Sequence, residues 1–125
     1  MIIGIGIDII EIERIKDSID RFGDAFLKKI YTQLELDYCQ SKSNKYQHFA
    51  ARFAAKEAVA KALATGWNKE FSWQHVEISN EPSGMPIVEL KGPLAAFLHP
   101  DKQLKISMSH SRDNVACVAI IYKEG

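Results

Sequence analysis

The sequence predicts an α+β fold, in a single domain over residues 1–125 with a mostly antiparallel sheet and a long central helix. A strand-like alternation opens the chain, and helical periodicity dominates the rest of its first half. The second half returns to short strand-like runs separated by turn residues. One strand, then helices, then mostly antiparallel strands is an order typical of the α+β class.

The first strand is predicted over residues 2–10, IIGIGIDII, where isoleucines alternate with Gly4, Gly6 and Asp8. A period of two indicates a strand whose faces differ, one of them being entirely branched and aliphatic. Interior glycines in a strand usually mark the close approach of another backbone or of a ligand. Asp8 fits either a cap for the helix that follows, the commoner role, or a metal ligand.

Three helices are predicted before the central one. Apolar residues recur at helical spacing over residues 11–22, and Gly23 fits the stop of that helix. A short helix over residues 25–30 comes next. Thr32 and Glu35 form a T-x-x-E capping box that opens the third helix.

The central helix is predicted over Ala50 to Ala64, a run in which eight of fifteen residues are alanine, the best helix former. Ser43 or Asn44 can cap its start, and Thr65 with Gly66 ends it. The alanines form a surface so shallow that another backbone could lie close against it.

Four charged residues are set into this apolar helix, namely Arg52, Lys56, Glu57 and Lys61. A charge between two packing surfaces loses water, so each of these side chains needs a partner, a ligand or a metal. The alternative is that Glu57 and Lys61 form an ordinary i,i+4 pair on a partly exposed helix.

The second half predicts strands over residues 73–79 and 86–91, then a short helix from Gly92-Pro93. Two further strands are predicted, one around residues 104–109 and one over 115–122. The last strand is apolar on both faces, which suggests burial on both sides and therefore an oligomer.

Composition limits the class of function. Sixteen basic and sixteen acidic residues cancel, so no overall field attracts nucleic acid. No apolar stretch approaches the length that spans a membrane. Cys39 and Cys117 form neither a metal-ligand spacing nor a disulfide framework, which predicts a reduced, cytoplasmic protein. His48, His75 and His99 look incidental.

Three polar features lie in surroundings that do not favour polar side chains. They are Asp8 among glycines, the Glu57–Lys61 pair on the alanine-rich helix, and Ser109-His110-Ser111 at a strand end. Two carboxylates together with phosphate oxygens and water commonly hold Mg²⁺. A nearby lysine or arginine would donate to the remaining phosphate charge. His110 alone is more often a satisfied core histidine.

Three motifs together resemble the bacterial holo-acyl-carrier-protein synthases, the short form of the 4′-phosphopantetheinyl transferases. They are GIGIDIIEIERI at 4–15, RFAAKEAVAKAL at 52–63 and SMSHSRDNVACVAI at 107–120. The resemblance covers nearly the whole chain. The Gly84-Met85-Pro86 turn is also similar, although the family more often has a lysine between this glycine and proline.

The resemblance implies Mg²⁺-dependent transfer of the phosphopantetheine arm of coenzyme A onto a serine of apo-acyl carrier protein, in fatty acid biosynthesis. Asp8 and Glu57 match the family's metal carboxylates, and with Lys61, which matches a phosphate contact, they form the implied catalytic set. Arg52 and His110 match positions near the nucleotide.

The implied architecture is the family's α+β unit, assembled as a homotrimer with a site at each subunit interface. Arg14 matches a family position that contacts the carrier, and Arg21 lies seven residues further on the same side of the first helix. Bases on that helix face would attract an acidic carrier protein locally.

Two other classes of function compete with the transferase. The helix-rich first half could belong to a helix-turn-helix protein that binds DNA, although the zero net charge and the absence of a basic recognition helix oppose that hypothesis. A small Mg²⁺-dependent phosphohydrolase would use the same carboxylates with water as the nucleophile.

Overall fold

The computed structural model describes residues 1–64 and 71–124. Its elements, in chain order, are β1 (Ile2–Glu11), α1 (Ile12–Phe22), α2 (Asp24–Ile30), α3 (Gln33–Gln40), α4 (Lys45–Leu63), a 3₁₀ turn (Trp73–His75), β2 (Val76–Asn80), β3 (Pro86–Leu90), α5 (Pro93–Leu98), β4 (Lys102–His110) and β5 (Asn114–Lys123). The predicted helix stop at Thr65-Gly66 lies outside the described residues.

The strands form two antiparallel units. In the larger sheet β5 lies in the centre, paired with β1 on one side and β4 on the other. β2 and β3 form a separate hairpin. The predicted α+β class, with a mostly antiparallel sheet and a long central helix, is confirmed.

The start of the first hairpin strand differs from the prediction. Residues 73–75 coil into a 3₁₀ turn, in which the His75 amide donates to the Ser72 carbonyl, and β2 begins only at Val76. The Trp73 carbonyl accepts from the Val76 amide within this turn and also accepts a hydrogen bond from Lys56 Nζ on α4.

Helix boundaries follow the local signals in the sequence. Gly23 ends α1 with a φ of 56°, a conformation that glycine adopts without strain. The predicted capping box is present, because Thr32 N donates to Glu35 Oε1 at 2.8 Å while Glu35 N donates to Thr32 Oγ1 at 3.4 Å. Asn44 precedes α4, but its side chain makes no cap hydrogen bond there.

α4 packs directly on β1 through the alanine surface that the sequence predicts. A Cβ atom added at Gly6 would collide with the Ala58 carbonyl oxygen and would lie 2.7 Å from the Ala62 nitrogen. Backbone atoms cannot rotate away, so only glycine allows the helix to approach this strand so closely. The interpretation of the interior glycines as a close-approach site is confirmed at Gly6.

On the outer face of the larger sheet, β1 and β5 are apolar and are uncovered in the single chain. On β1, Ile5, Ile7 and Ile9 are 60%, 67% and 68% exposed. Their partners on β5, Ile120, Val118 and Ala116, are half-buried. The opposite face of β5 is fully buried, so this strand is apolar on both faces as the sequence predicts.

Candidate active site

Asp8 and Lys61 meet where β1 lies against α4. Lys61 Nζ is 3.1 Å from Asp8 Oδ1 and donates to the Ile7 carbonyl at 2.9 Å. Asp8 follows Gly4 and Gly6 on the strand face that contacts the helix, since residues two apart share a face. The close packing at Gly6 therefore also brings the Asp8 carboxylate to Lys61.

Glu57 stands on α4 one turn before Lys61 and is half-buried. Burial raises the pKa of its carboxyl, the nearby Asp8 charge raises this pKa further, and Lys61 lowers it in part. The ion pair that Lys61 makes is with Asp8. Asp8 and Glu57 are thus two carboxylates close enough to repel each other.

This donor set fits a magnesium ion. Within residues 1–64 and 71–124, no three His, Cys, Asp or Glu side chains converge as a full metal cage. Mg²⁺ does not require one, because it commonly takes one or two carboxylates and completes its shell with substrate phosphates and water. The repulsion that raises the pKa of Glu57 is also what a divalent cation would relieve.

Arg52 lies in a second place, on the wall of a small cavity of about 170 Å³ that His110, Tyr38 and Asn80 also line. Arg52 is only 2% exposed, its Nη2 donates to Asn80 Oδ1 at 2.8 Å, and its guanidinium lies 4.2 Å from the centre of the Tyr38 ring. Its Nε is buried with no hydrogen-bond partner among the described residues.

The two places lie on opposite sides of α4. Arg52 and Lys61 are nine residues apart, which in a helix is about two and a half turns and a rise of about 13.5 Å. The structure therefore brings Asp8, Glu57 and Lys61 together, and Arg52 together with His110, but it separates these two groups within one chain.

The candidate carrier-binding residues, Arg14 and Arg21, are exposed on α1. Arg21 lies 5.9 Å from the centre of the Phe22 ring, and Phe22 itself is exposed. Acidic residues interleave with these bases, and one of them, Asp20, lies 4.0 Å from Lys16.

The sequence did not predict the ion pair between Glu35 and Lys56. Their charged atoms are 2.7 Å apart and both side chains are completely buried. Lys56 Nζ also donates to the Ile30 and Trp73 carbonyls, and the Ile78 amide donates to Glu35 Oε2. The capping box already accounts for Glu35, so nothing in the sequence indicates that Glu35 has a second partner. The only signal of this ion pair is that Lys56 lies among apolar residues of the helix and therefore needs a partner.

Residues 4–120 match the sequence profile of the 4′-phosphopantetheinyl transferase superfamily. The chain belongs to this superfamily. A holo-[acyl-carrier-protein] synthase from Chlamydia trachomatis serovar L2 is 51% identical over 117 residues, covering 94% of this chain and 97% of that protein. One from Koribacter versatilis is 44% identical over 123 residues, covering 97% and 98%.

Solved structures of this superfamily agree with the fold. The crystal structure of holo-[acyl-carrier-protein] synthase from Neisseria meningitidis has a TM-score of 0.88 at 34% identity, covering 98% of this chain and 100% of that chain. The Helicobacter pylori synthase, solved in complex with coenzyme A, has a TM-score of 0.79 at 34% identity, covering 94% and 99%. The family recognised from the sequence motifs, the enzyme class and the fold class are all confirmed.

Proposed function

We propose that this chain transfers the 4′-phosphopantetheine arm of coenzyme A to a serine of an apo-acyl carrier protein of fatty acid biosynthesis, releasing 3′,5′-ADP, with Mg²⁺ as the metal. The observation that carries the proposal is the meeting of Asp8, Glu57 and Lys61 on a glycine-backed strand and an alanine-rich helix. The relatives from Koribacter versatilis and Chlamydia trachomatis, both named holo-[acyl-carrier-protein] synthase, support it.

The site's task is to position the reactants and neutralise charge. Asp8 and Glu57 would hold Mg²⁺, which when bound would polarise the pyrophosphate of coenzyme A. The Lys61 side chain is about half exposed, so Nζ can leave Asp8 and donate to a phosphate oxygen. Little covalent chemistry is required of the protein in phosphoryl transfer, where orientation and electrostatics dominate.

The nucleophile comes from the carrier protein. Its serine Oγ forms a bond to the phosphorus that bears the pantetheine arm, while the bond from that phosphorus to the bridging oxygen breaks and 3′,5′-ADP leaves. The serine proton passes to a side chain or to a water oriented at the carboxylates. Arg52 and His110 would bind the nucleotide end of coenzyme A.

Two features support a homotrimer with sites at the subunit interfaces. Arg52 and His110 lie on the other side of α4 from Lys61, so a nucleotide held by one copy can meet the carboxylates of another. The isoleucine face of β1 is uncovered in one chain, and contiguous exposed apolar surface marks an interaction site.

Light scattering should give the mass of three chains, and Ile7→Asp should dissociate them and abolish transfer. A fully active monomer would remove the trimer and the shared site.

The carrier would dock on α1 through Arg14 and Arg21. Acyl carrier proteins are acidic, and the net charge of this chain is zero, so any steering must come from a local patch. Arg14→Glu should strongly raise the KM for the carrier, leave the KM for coenzyme A nearly unchanged, and weaken the salt dependence of the rate. Equal effects on the KM of both substrates would indicate that Arg14 supports the fold or the nucleotide site, and does not bind the carrier.

A cytoplasmic location fits both cysteines. Cys39 and Cys117 are free and buried. Burial raises the pKa of each thiol to about 12, so neither is a thiolate at neutral pH. In the described ranges, no helix combines the length and apolar character needed to cross a membrane.

Intact-mass measurement of the carrier separates the competing functions. The protein is incubated with coenzyme A, Mg²⁺ and apo-acyl carrier protein. A mass gain of one phosphopantetheine on the carrier supports the transferase. Cleaved coenzyme A with an unmodified carrier would indicate a phosphohydrolase, and neither change would indicate a binding protein.

A further inference from the structure

The cavity beside Arg52 is also lined by a histidine that looks incidental in the sequence. His48 precedes Arg52 by four residues on α4, so both side chains lie on one face of the helix. The His48 ring stands edge-on to Tyr38 at 5.4 Å between centres, and it lines the same cavity as Arg52 and His110. Side chains from α3, α4 and β4 thus converge there.

The charged and titratable groups that face His48 are Arg52 on α4, Lys42 in the loop after α3, His110 on β4 and the Tyr38 phenol on α3. The three basic groups add positive potential, and within the described part of the chain no carboxylate acts on His48 to balance them. Burial lowers the pKa of His48, and Arg52, Lys42 and His110 lower it further. Without a ligand, His48 is therefore neutral near pH 7.

The surroundings of Arg52 indicate that the cavity binds a ligand with hydrogen-bond acceptors. It is a buried cation whose side-chain contacts among the described residues are an amide, Asn80, and an aromatic ring, Tyr38, and not a carboxylate. Its buried Nε has no hydrogen-bond partner in the described chain, and an unsatisfied buried donor costs free energy unless a ligand accepts from it. The cavity, at about 170 Å³, suits a phosphate group and not a whole nucleotide.

We propose that His48 is a further ligand of a phosphomonoester in this cavity and that it takes up a proton when the dianion binds. The inference rests on the proposed function, in which Arg52 and His110 hold the nucleotide end of coenzyme A, whose 3′-phosphate is a monoester. A dianion beside His48 reverses the local potential, which favours the imidazolium, and the imidazolium then donates to a phosphate oxygen.

Calorimetry tests this directly. Coenzyme A is titrated into the wild-type protein at pH 7.0 in buffers of different ionisation enthalpy, which reports protons exchanged on binding. A phosphomonoester with a second pKa of about 6 is already mostly dianionic at this pH, so it contributes little. The wild type should take up roughly half a proton or more, as expected for one histidine shifted across neutral pH.

The variants assign the proton. His48→Phe keeps a ring against Tyr38 and cannot titrate, so it should lose the uptake and bind coenzyme A more weakly. His48→Gln provides a second variant if the first unfolds, and His99→Gln, outside the cavity, should behave as wild type. Unchanged uptake in the folded His48 variants, or its loss only in His110→Gln, would overturn the proposal.

Two further measurements keep this result apart from the proposed function. With 3′-dephospho-coenzyme A the wild type should show almost no uptake, and equal uptake would contradict the phosphomonoester assignment. Transfer to the carrier is measured by intact mass on the same preparation. Transfer without proton uptake would overturn only the role of His48, whereas binding without transfer would overturn the proposed function.

Discussion

Two lysines on the same helix, Lys56 and Lys61, form the same kind of pair in opposite surroundings. Lys56 and its partner Glu35 are both 0% exposed, with charged atoms 2.7 Å apart. Lys61 and its partner Asp8 are 53% and 16% exposed, at 3.1 Å. The three donors of the Lys56 ammonium are matched by Glu35, Ile30 and Trp73, whereas Lys61 faces solvent.

This difference separates a pair that can only be structural from one that remains able to bind a ligand. Burial lowers the pKa of Lys56, and the charge and hydrogen bond of Glu35 counteract that shift. A buried pair with all hydrogen bonds made ties its elements together, here α2, α3, α4 and the 3₁₀ turn, and it has no capacity left for a ligand. A half-exposed pair contributes little to stability and is free to exchange its partner.

The largest expected effect comes from breaking the buried pair. Lys56→Met leaves Glu35 as a buried charge without its cation, which should lower the free energy of unfolding by about 3–5 kcal/mol. Thermal and denaturant unfolding measure this. The double variant Lys56→Met/Glu35→Leu removes both charges and should recover part of the loss. A single variant as stable as wild type would contradict the structural role of this pair.

Gly6→Ala tests the contact that brings Asp8 to Lys61. The added methyl group meets backbone atoms of Ala58 and Ala62, which cannot turn aside, so overpacking should cost about 1–3 kcal/mol. Displacement of β1 from α4 should also lower transfer more than the stability loss explains. Wild-type stability and activity would show that the helix and the strand separate easily at this point.

Lys61→Gln sharpens the comparison, because it keeps most of the side-chain stem and loses the charge. Stability should change by less than about 1 kcal/mol, as for an exposed pair. The kcat/KM for coenzyme A should fall roughly 10- to 100-fold, the loss expected for one charge-assisted hydrogen bond. Unchanged kinetics with slightly lower stability would make Lys61 a structural partner of Asp8.

The smallest effect concerns Glu57. An acid whose pKa is raised in the folded state binds its proton more tightly there, so the stability of the metal-free protein falls as pH rises from the ordinary glutamate pKa through the raised one. Glu57→Gln should therefore be more stable at pH 7 without Mg²⁺, by tenths of a kcal/mol because the side chain is partly solvated. The difference should vanish near pH 4 in unfolding experiments. Lower stability at pH 7 would contradict the repulsion from Asp8.

The sequence predicted what depends on neighbours along the chain. The two-residue spacing of Gly6 and Asp8 placed both on one face of the strand. The alanine run predicted the shallow helix surface that packs against this face. The capping box at Thr32 and the stop at Gly23 are local too.

What the sequence missed depends on contacts between distant elements. Nothing near Glu35 indicates that Lys56, on the next helix, neutralises it. His48 gained its surroundings only when α3, α4 and β4 packed around one cavity. The sequence predicted that the isoleucines of β1 share one face. It did not predict that this face stays uncovered, because that depends on the opposite, glycine face packing against α4.

Transfer by Glu57→Ala under limiting Mg²⁺ tests the central claim most directly. The carrier's intact mass is followed over time with coenzyme A for the wild type and the variant, and unfolding confirms that the variant is folded. If Asp8 and Glu57 bind one metal ion together, the variant should add no phosphopantetheine to the carrier, while the wild type should convert the carrier fully. Near wild-type conversion by a folded Glu57→Ala protein would show that this pair of carboxylates is not the metal site.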